Sequence, residues 1–218
     1  MTAPHTDPHL TDPAEQALVD TIARFAAQEL APRAAATDES GAFVHDQLAA
    51  LAATGMMGAN LPEGWGGPGI SAVALLRTVA AVAAGCASTA SALTAHFLAT
   101  DSILIGGDDA QRARYLPRAA EGRILGAFAL TEPGAGSDPA DMTTRARREG
   151  EGWRLKGRKC FISNAGPGGV VAGYAAAAPT ARAPRATPNR VIRATRRNLL
   201  KAIETVRAGG TPPMALTA

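Results

Sequence analysis

The sequence predicts an α+β protein: an amino-terminal all-α helical bundle, then a partial antiparallel β-barrel domain, then a basic low-complexity tail. Three observations carry this. Up to about residue 122 the apolar residues recur at helical spacing between proline and glycine breaks. From Ile124 the period shortens to alternation, with Leu125, Ala127 and Ala129 interleaved by Gly126, Phe128 and Leu130. Beyond Gly173 the charge balance reverses: residues 1–173 hold 14 basic and 18 acidic residues, a net of −4, and residues 174–218 hold 8 basic and 1 acidic, a net of +7. The expected domains are therefore 1–122, 123–173 and 174–218. At 218 residues and 46% hydrophobic the chain can bury a sizeable core.

Asp12 before Pro13, with Glu15 following, marks a first helix start, where a capping acid, a proline that loses nothing in the first turn and an acid near the positive helix end coincide. Leu18, Ile22, Phe25, Ala26 and Leu30 give it one inward face, and Pro32 is expected to stop it. A second helix is expected from about Phe43 through Leu48 and Leu51 to Gly55. Residues 58–69, GANLPEGWGGPG, hold too many glycines and prolines for regular structure and read as a surface crossing with Trp65 packed on the helices. Ser71 caps a third helix through Val82, a fourth runs from about Ser88 to Ile105, and Asp108 and Asp109 open a fifth that Pro117 closes. Short links predict antiparallel neighbours. After Ile124, further short runs contain Trp153 and Leu155, then Phe161 and Ile162, separated by Gly150, Gly152 and Gly157.

Several function classes receive no support. The run Thr78–Ala95 is uncharged but built of small residues, so a buried helix is expected there and no membrane span. The first sixteen residues have neither a basic start nor an apolar core, so no secretory leader is expected. Cys86 and Cys160 stand far apart without a CxxC or histidine partner; they read as small apolar residues in a reducing cytoplasm, not as a disulfide or metal site. His96, among apolar and small neighbours, reads as a hydrogen-bonded packing residue, and Arg145, Arg147 and Arg148 as a solvated hairpin face. Nucleic-acid binding is not expected, because the basic tail has no interleaved aromatics.

The stretch Gly126–Asp138, GAFALTEPGAGSD, passes from an apolar run into a turn where bare backbone amides can approach a ligand, and GRKCFISN at Gly157–Asn164 follows about twenty residues after its core. By themselves these residues also fit an ordinary strand-to-loop turn with Glu132 solvated. Together, Thr131–Asp138 and Gly157, Lys159, Phe161, Ile162, Ser163 and Asn164 resemble the paired flavin-contacting signatures of the acyl-CoA dehydrogenases. Leu61–Gly67, LPEGWGG, resembles that family's PEEYGG crossing, and Tyr115, Leu116, Pro117 and Gly122 resemble the run into its first strand. The likeness spans roughly residues 12 to 170.

The resemblance implies a flavoenzyme holding FAD, which introduces α,β-unsaturation into an acyl-CoA thioester and passes electrons to an electron-transfer flavoprotein. Phe128, Leu130, Thr131, Gly136 and Ser137 would line the flavin. Thr131 would bond its pyrimidine edge, where negative charge develops on reduction. Ser137, beside outward-turned amides, would meet a phosphate or the substrate's thioester arm. Phe161 would pack on the ring with Ile162 beside it, and Ser163 would reach the hydride-accepting nitrogen; the family often carries Trp and Thr in place of Phe161 and Ser163. The family's catalytic glutamate belongs to a carboxy-terminal four-helix domain expected to be absent here. The chain is thus expected to carry no catalytic base, to be nearly inactive by itself and to hold flavin weakly. Homo-oligomers are expected only of a full-length form, and the acyl chain length cannot be read. A flavin monooxygenase or nitroalkane oxidase on the same fold, and a non-enzymatic remnant associating with intact paralogues, are the alternative classes.

Beyond Gly168 the barrel is expected not to continue. Residues 175–186, AAAAPTARAPRA, have no periodicity, and Val191–Val206 reads as a basic helix. The favoured reading is a shift of reading frame near residue 170 to 180, since high-GC codons read out of frame yield Ala, Arg, Pro and Gly. A truncated homologue with a basic interaction tail, or a nucleic-acid-binding tail, are the others.

Overall fold

A computed structural model describes residues 12–149, 152–177 and 192–194. The described residues are α+β and divide into two compact units, one within Met1–Phe97 and Pro117–Arg123, the other within Leu98–Leu116 and Ile124–Ala218.

The first unit is helical. Helix α1 (Pro13–Phe25) starts as expected, with Asp12 Oδ1 accepting from the Ala14 amide at 2.8 Å. Pro32 does not stop the chain. A π-helical turn, Ala26–Leu30, leads into α2 (Ala31–Ser40), where Pro32 occupies the first turn and needs no donor. Gly41, at φ 61°, ends α2. Helix α3 (His45–Ala53) follows, and residues 58–69 cross irregularly as expected, with Trp65 half-buried. The crossing is tight. A Cβ on Gly67 would run into the backbone of Leu61 and lie 2.6 Å from the Gly58 carbonyl, so only glycine fits there.

Ser71 caps α4 (Ala72–Gly85), accepting from the Ala74 amide, and its own amide and hydroxyl each donate to the Glu15 carboxylate at 2.6 Å. The starts of α1 and α4 are thereby stitched together. Helix α5 (Ala87–Gly106) carries His96, wholly buried, with Nε2 donating to the Met57 carbonyl at 3.0 Å. Burial pushes its imidazole down to about 4, against hydrogen bonds to Met57 and Ala119 that raise it, so the ring is neutral at physiological pH. Ile22, Leu30, Leu51, Met56, Met57, Leu61, Val82 and Leu93 fill the core of this unit, and Cys86 is buried near them in sequence. Helix α6 (Asp109–Ala120) is capped by Asp108, which accepts from the Gln111 amide. It continues past Pro117, contrary to expectation; Gly122, at φ 70°, follows the helix end.

The second unit takes residues 98–106 of α5 and 109–116 of α6, and contains β1 (Gly126–Ala129), β2 (Arg145–Glu149), β3 (Gly152–Lys156), β4 (Val170–Gly173), β5 (Ala176–Ala177) and β6 (Ile192–Ala194). They form two three-stranded sheets, ordered β1-β4-β6 and β3-β2-β5. Pairing is mixed: β1 with β4 and β2 with β5 are parallel, whereas β2 with β3 and β4 with β6 are antiparallel. Two expectations are corrected here. The sheet does continue beyond Gly168, because Val170–Gly173 is buried throughout and a strand covered on both faces shows no alternation to read. Ile192–Ala194, expected in a basic helix, is a strand paired with β4; the rest of residues 174–218 lies outside the described residues except for Tyr174–Ala177. Ala127, Ala129, Ala146, Leu155, Val171 and Ala175 form the core, with Trp153 and Ile162 against it. Phe161 and Ile162 lie in an irregular turn, not a strand. Among the described residues no helix is long and apolar enough to cross a membrane.

Gly67→Ala should destabilise the first unit by roughly 1–3 kcal/mol, the usual range for overpacking. That is a melting temperature lower by about 5 °C. Gly64→Ala, with nothing within 4 Å of the added Cβ, should change it little.

Candidate functional site

The site is built where the two sequence signatures meet within the second unit. Strand β1 delivers Leu130 and Thr131 to its end, and a tight turn follows, in which Glu132 and Ala135 exchange backbone hydrogen bonds of 2.7 and 3.2 Å. The second signature lies alongside: the Cys160 amide donates to the Thr131 carbonyl at 3.0 Å, and Lys159 Nζ donates to the Leu130 carbonyl at 2.7 Å. Both consecutive carbonyls are thus taken by the neighbouring segment.

Glu132 is not solvated. Its side chain is 2% exposed, and its carboxylate accepts from the Thr143 hydroxyl at 2.6 Å, the Thr143 amide at 2.7 Å, the Thr144 amide at 3.0 Å and Lys159 Nζ at 2.9 Å. Burial by itself raises the carboxyl, but the bonds from Thr143, Thr144 and Lys159 outweigh it and hold the group down at about 2, against an ordinary 4.5. A carboxylate so engaged is a poor general base. Gly157 lets this happen, since a Cβ there would collide with the Thr144 side chain and lie 2.6 Å from its Cα.

The residues after Cys160 hold an uncommon backbone. Phe161 and Asn164 are the non-glycine residues with positive φ among those described, at 55° and 65°. Asn164 is buried, its Nδ2 donating to the Gly126 carbonyl at 2.9 Å and its carbonyl accepting from the Gly168 amide at 2.7 Å. Between these anchors Phe161 is 92% exposed, Ser163 is exposed and Ile162 turns partly into the core.

The other expected residues sit on the first signature. Phe128 is half-buried, its ring 5.1 Å from that of Tyr174 in an edge arrangement, and Tyr174 Oη is 2.8 Å from Ser102 Oγ. Leu130 and Thr131 are half-buried, while Gly136 and Ser137 are exposed. The amides of Thr131, Gly136 and Ser137 make no hydrogen bond among the described residues. This donor set, with an exposed aromatic ring on the adjoining segment, fits a planar, electron-poor ring carrying carbonyl edges. The expected residues thus fall on two segments that the Lys159 and Cys160 bonds tie together. Sequence reasoning missed Glu132 and Lys159 as the tie; an acid in one signature and a lysine in the other was the available signal. Nothing in the sequence pointed to the pair Tyr174 and Ser102.

The carboxyl of Glu132 is lower in the folded chain than in the unfolded one. The stability it confers is therefore complete above about pH 4.5 and lost as the pH falls through about 2. That drop corresponds to on the order of 3 kcal/mol. Glu132→Gln should unfold at markedly lower denaturant concentration at pH 7, with the gap to the parent closing between about pH 4.5 and 2 in urea titrations.

The comparisons with known proteins identify the family. The acyl-CoA dehydrogenase N-terminal domain profile matches residues 12–123, and the middle domain profile residues 127–192, past the point near 170 where the sequence likeness was expected to end. A cyclohex-1-ene-1-carbonyl-CoA dehydrogenase of Geobacter metallireducens is 38% identical over 169 residues, covering 77% of this chain and 44% of that protein. A glutaryl-CoA dehydrogenase of Mycobacterium smegmatis, solved in complex with FADH2, superposes with a TM-score of 0.72 at 32% identity, over 76% of this chain and 43% of that one. A chain in a structure described as an electron transferring flavoprotein of Acidaminococcus fermentans superposes with a TM-score of 0.72 at 30% identity, over 78% and 45%. The chain thus spans less than half the length of the relatives it matches. It belongs to the acyl-CoA dehydrogenase family.

Proposed function

We propose that this chain supplies one wall of the flavin site of an acyl-CoA dehydrogenase, which oxidises an acyl-CoA thioester across its α and β carbons. The observation that carries the proposal is the joining of the two signatures by Lys159 and Cys160, which leaves unbonded amides on one segment and a bare aromatic ring on the other. In this reading Thr131 binds the pyrimidine edge of FAD through its amide and hydroxyl, with Phe128 and Leu130 beside it. Gly136 and Ser137 offer donors to a phosphate or to the thioester arm, and Phe161, Ile162 and Ser163 lie along the ring. FAD, when bound, supplies the two-electron acceptor for the β-hydride. The protein's residues orient that ring, shield it and stabilise charge on its pyrimidine side.

The α-proton needs a separate base. Glu132 cannot serve, being fully engaged and held at about 2. The 218 residues by themselves are accordingly expected to hold FAD weakly and to leave acyl-CoA unchanged. In this reading the helical domain ends at about residue 122 and the middle β-domain begins at 123; the profile match to residue 192 and the pairing of β6 with β4 support carrying it beyond 173. Acyl-CoA is the substrate, an electron-transfer flavoprotein the acceptor, and the cytoplasm the compartment. Homo-oligomers belong to a full-length form.

FAD titration of the purified chain, followed by flavin fluorescence, tests this. Binding is expected to saturate but not to survive gel filtration, and Phe161→Ala should weaken it roughly two- to tenfold, the scale of one aromatic stacking contact. No change of flavin fluorescence at any protein concentration would sink the reading. Anaerobic bleaching of bound flavin by an acyl-CoA would instead show that these residues already contain a base.

A further inference from the structure

The peptide bond joining Leu130 to Thr131 is trans, as are all those among the described residues. Its carbonyl and its N–H therefore point in opposite directions within one plane. Lys159 Nζ takes the carbonyl at 2.7 Å, and the N–H on the far side, that of Thr131, donates to no group among the described residues. Fixing one end of that plane fixes the other. The ammonium is itself fixed, since its side chain is 11% exposed and it also donates to Glu132 at 2.9 Å. The next peptide is held from both ends as well, its Thr131 carbonyl by the Cys160 amide and its Glu132 amide by the Ala135 carbonyl.

We propose that Lys159 is a positioning residue for the cofactor: by gripping the Leu130 carbonyl while anchored on Glu132, it aims the Thr131 N–H and strengthens it as a donor to the flavin ring. This rests on the flavin reading above. Two physical effects follow from one contact. The first is orientation, because a peptide plane tethered at its oxygen by a buried cation cannot rotate without breaking a charge-assisted bond. The second is polarisation: a cation at a carbonyl oxygen draws electron density along the peptide, and the N–H becomes a stronger donor, the cooperativity seen in hydrogen-bonded chains. Glu132 has a different part. It keeps the lysine from extending to solvent, and its remaining bonds to Thr143 and Thr144 hold the start of β2 with or without Lys159. Loss of Lys159 should therefore release the Leu130–Thr131 peptide while the Glu132 end of the loop stays attached.

The test uses Lys159→Met in the 218-residue chain, and Glu132→Gln/Lys159→Met, which leaves no buried charge, in case the single variant does not fold. Leu155→Ala serves as a control that opens the same core without removing a hydrogen bond of the site. Without ligand, the NMR order parameter of the Thr131 N–H is expected to fall from about 0.85 to below about 0.6 in the lysine variants and to hold in the control. With FAD, the dissociation constant should rise about tenfold in the lysine variants and less than twofold in the control. Unchanged order at Thr131 overturns the proposal, and so does an equal loss of FAD binding in Leu155→Ala, which would mark a purely structural role. If the parent takes up no FAD, the flavin reading falls and the donor role with it, while a drop in order at Thr131 would still establish that Lys159 holds the peptide.

Discussion

A carboxylate leaves water at a cost of several kcal/mol unless its lone pairs are met, and Glu132 has been removed from water almost entirely. Everything around the candidate site follows from meeting that demand. Thr143 and Thr144 must present amides and a hydroxyl, so the chain between Ala135 and Thr143 has to return to the loop it left. Lys159 must bring a cation, so the second signature has to lie against the first. Gly157 must lack a side chain, because Thr144 occupies the space a Cβ would need. One buried charge thus sets the register of three segments that are distant in sequence. Hydrophobic packing alone would specify them loosely, since the nearby core is made mostly of alanine and valine.

The helical unit solves its packing by a different route. Its elements approach through small residues and backbone: Gly67 against Leu61 and Gly58, and Gly85 against the Ala26 carbonyl, where a Cβ would lie at 2.7 Å. The polar groups in this unit are either at helix starts, as Asp12 and the Ser71–Glu15 stitch are, or buried and neutral, as His96 is. Its acid sensitivity has a separate origin from that of the site. His96 is depressed to about 4 in the folded chain, so its contribution is complete above about pH 6.5 and declines as the pH falls toward 4, a window that lies mostly above the one, from about 4.5 to 2, in which the stabilisation by Glu132 is lost.

Features encoded within a few residues were legible in the sequence. The capping residues Asp12, Ser71 and Asp108 all act where their neighbours predict, and the α+β division and both signatures are visible as changes of period and composition. Features decided by distant contacts were not. Pro32 and Pro117 are ordinarily breakers, yet a π-helical turn and a helix end a few residues on accommodate them. Val170–Gly173 shows no alternation because both of its faces are covered, so its sequence predicts no strand beyond Gly168 although it lies at the sheet's centre. Glu132 reads as a loop acid from sequence because neither Thr143 nor Lys159 is near it along the chain.

Phe161 supports reading the segment from Lys159 to Asn164 as part of the proposed site. Its left-handed backbone costs of order 1–3 kcal/mol, and its ring gains almost nothing in return, being 92% exposed. Stability alone would replace it with glycine, or turn the ring inward beside Ile162. The strain persists because the segment is held at both ends, by Lys159 and Cys160 on one side and by Asn164 on the other, and Asn164 is of the residue type that tolerates positive φ best after glycine. An ion pair and an asparagine anchor thus keep an aromatic ring in open solvent, and this supports the proposal that a flat ring lies against it.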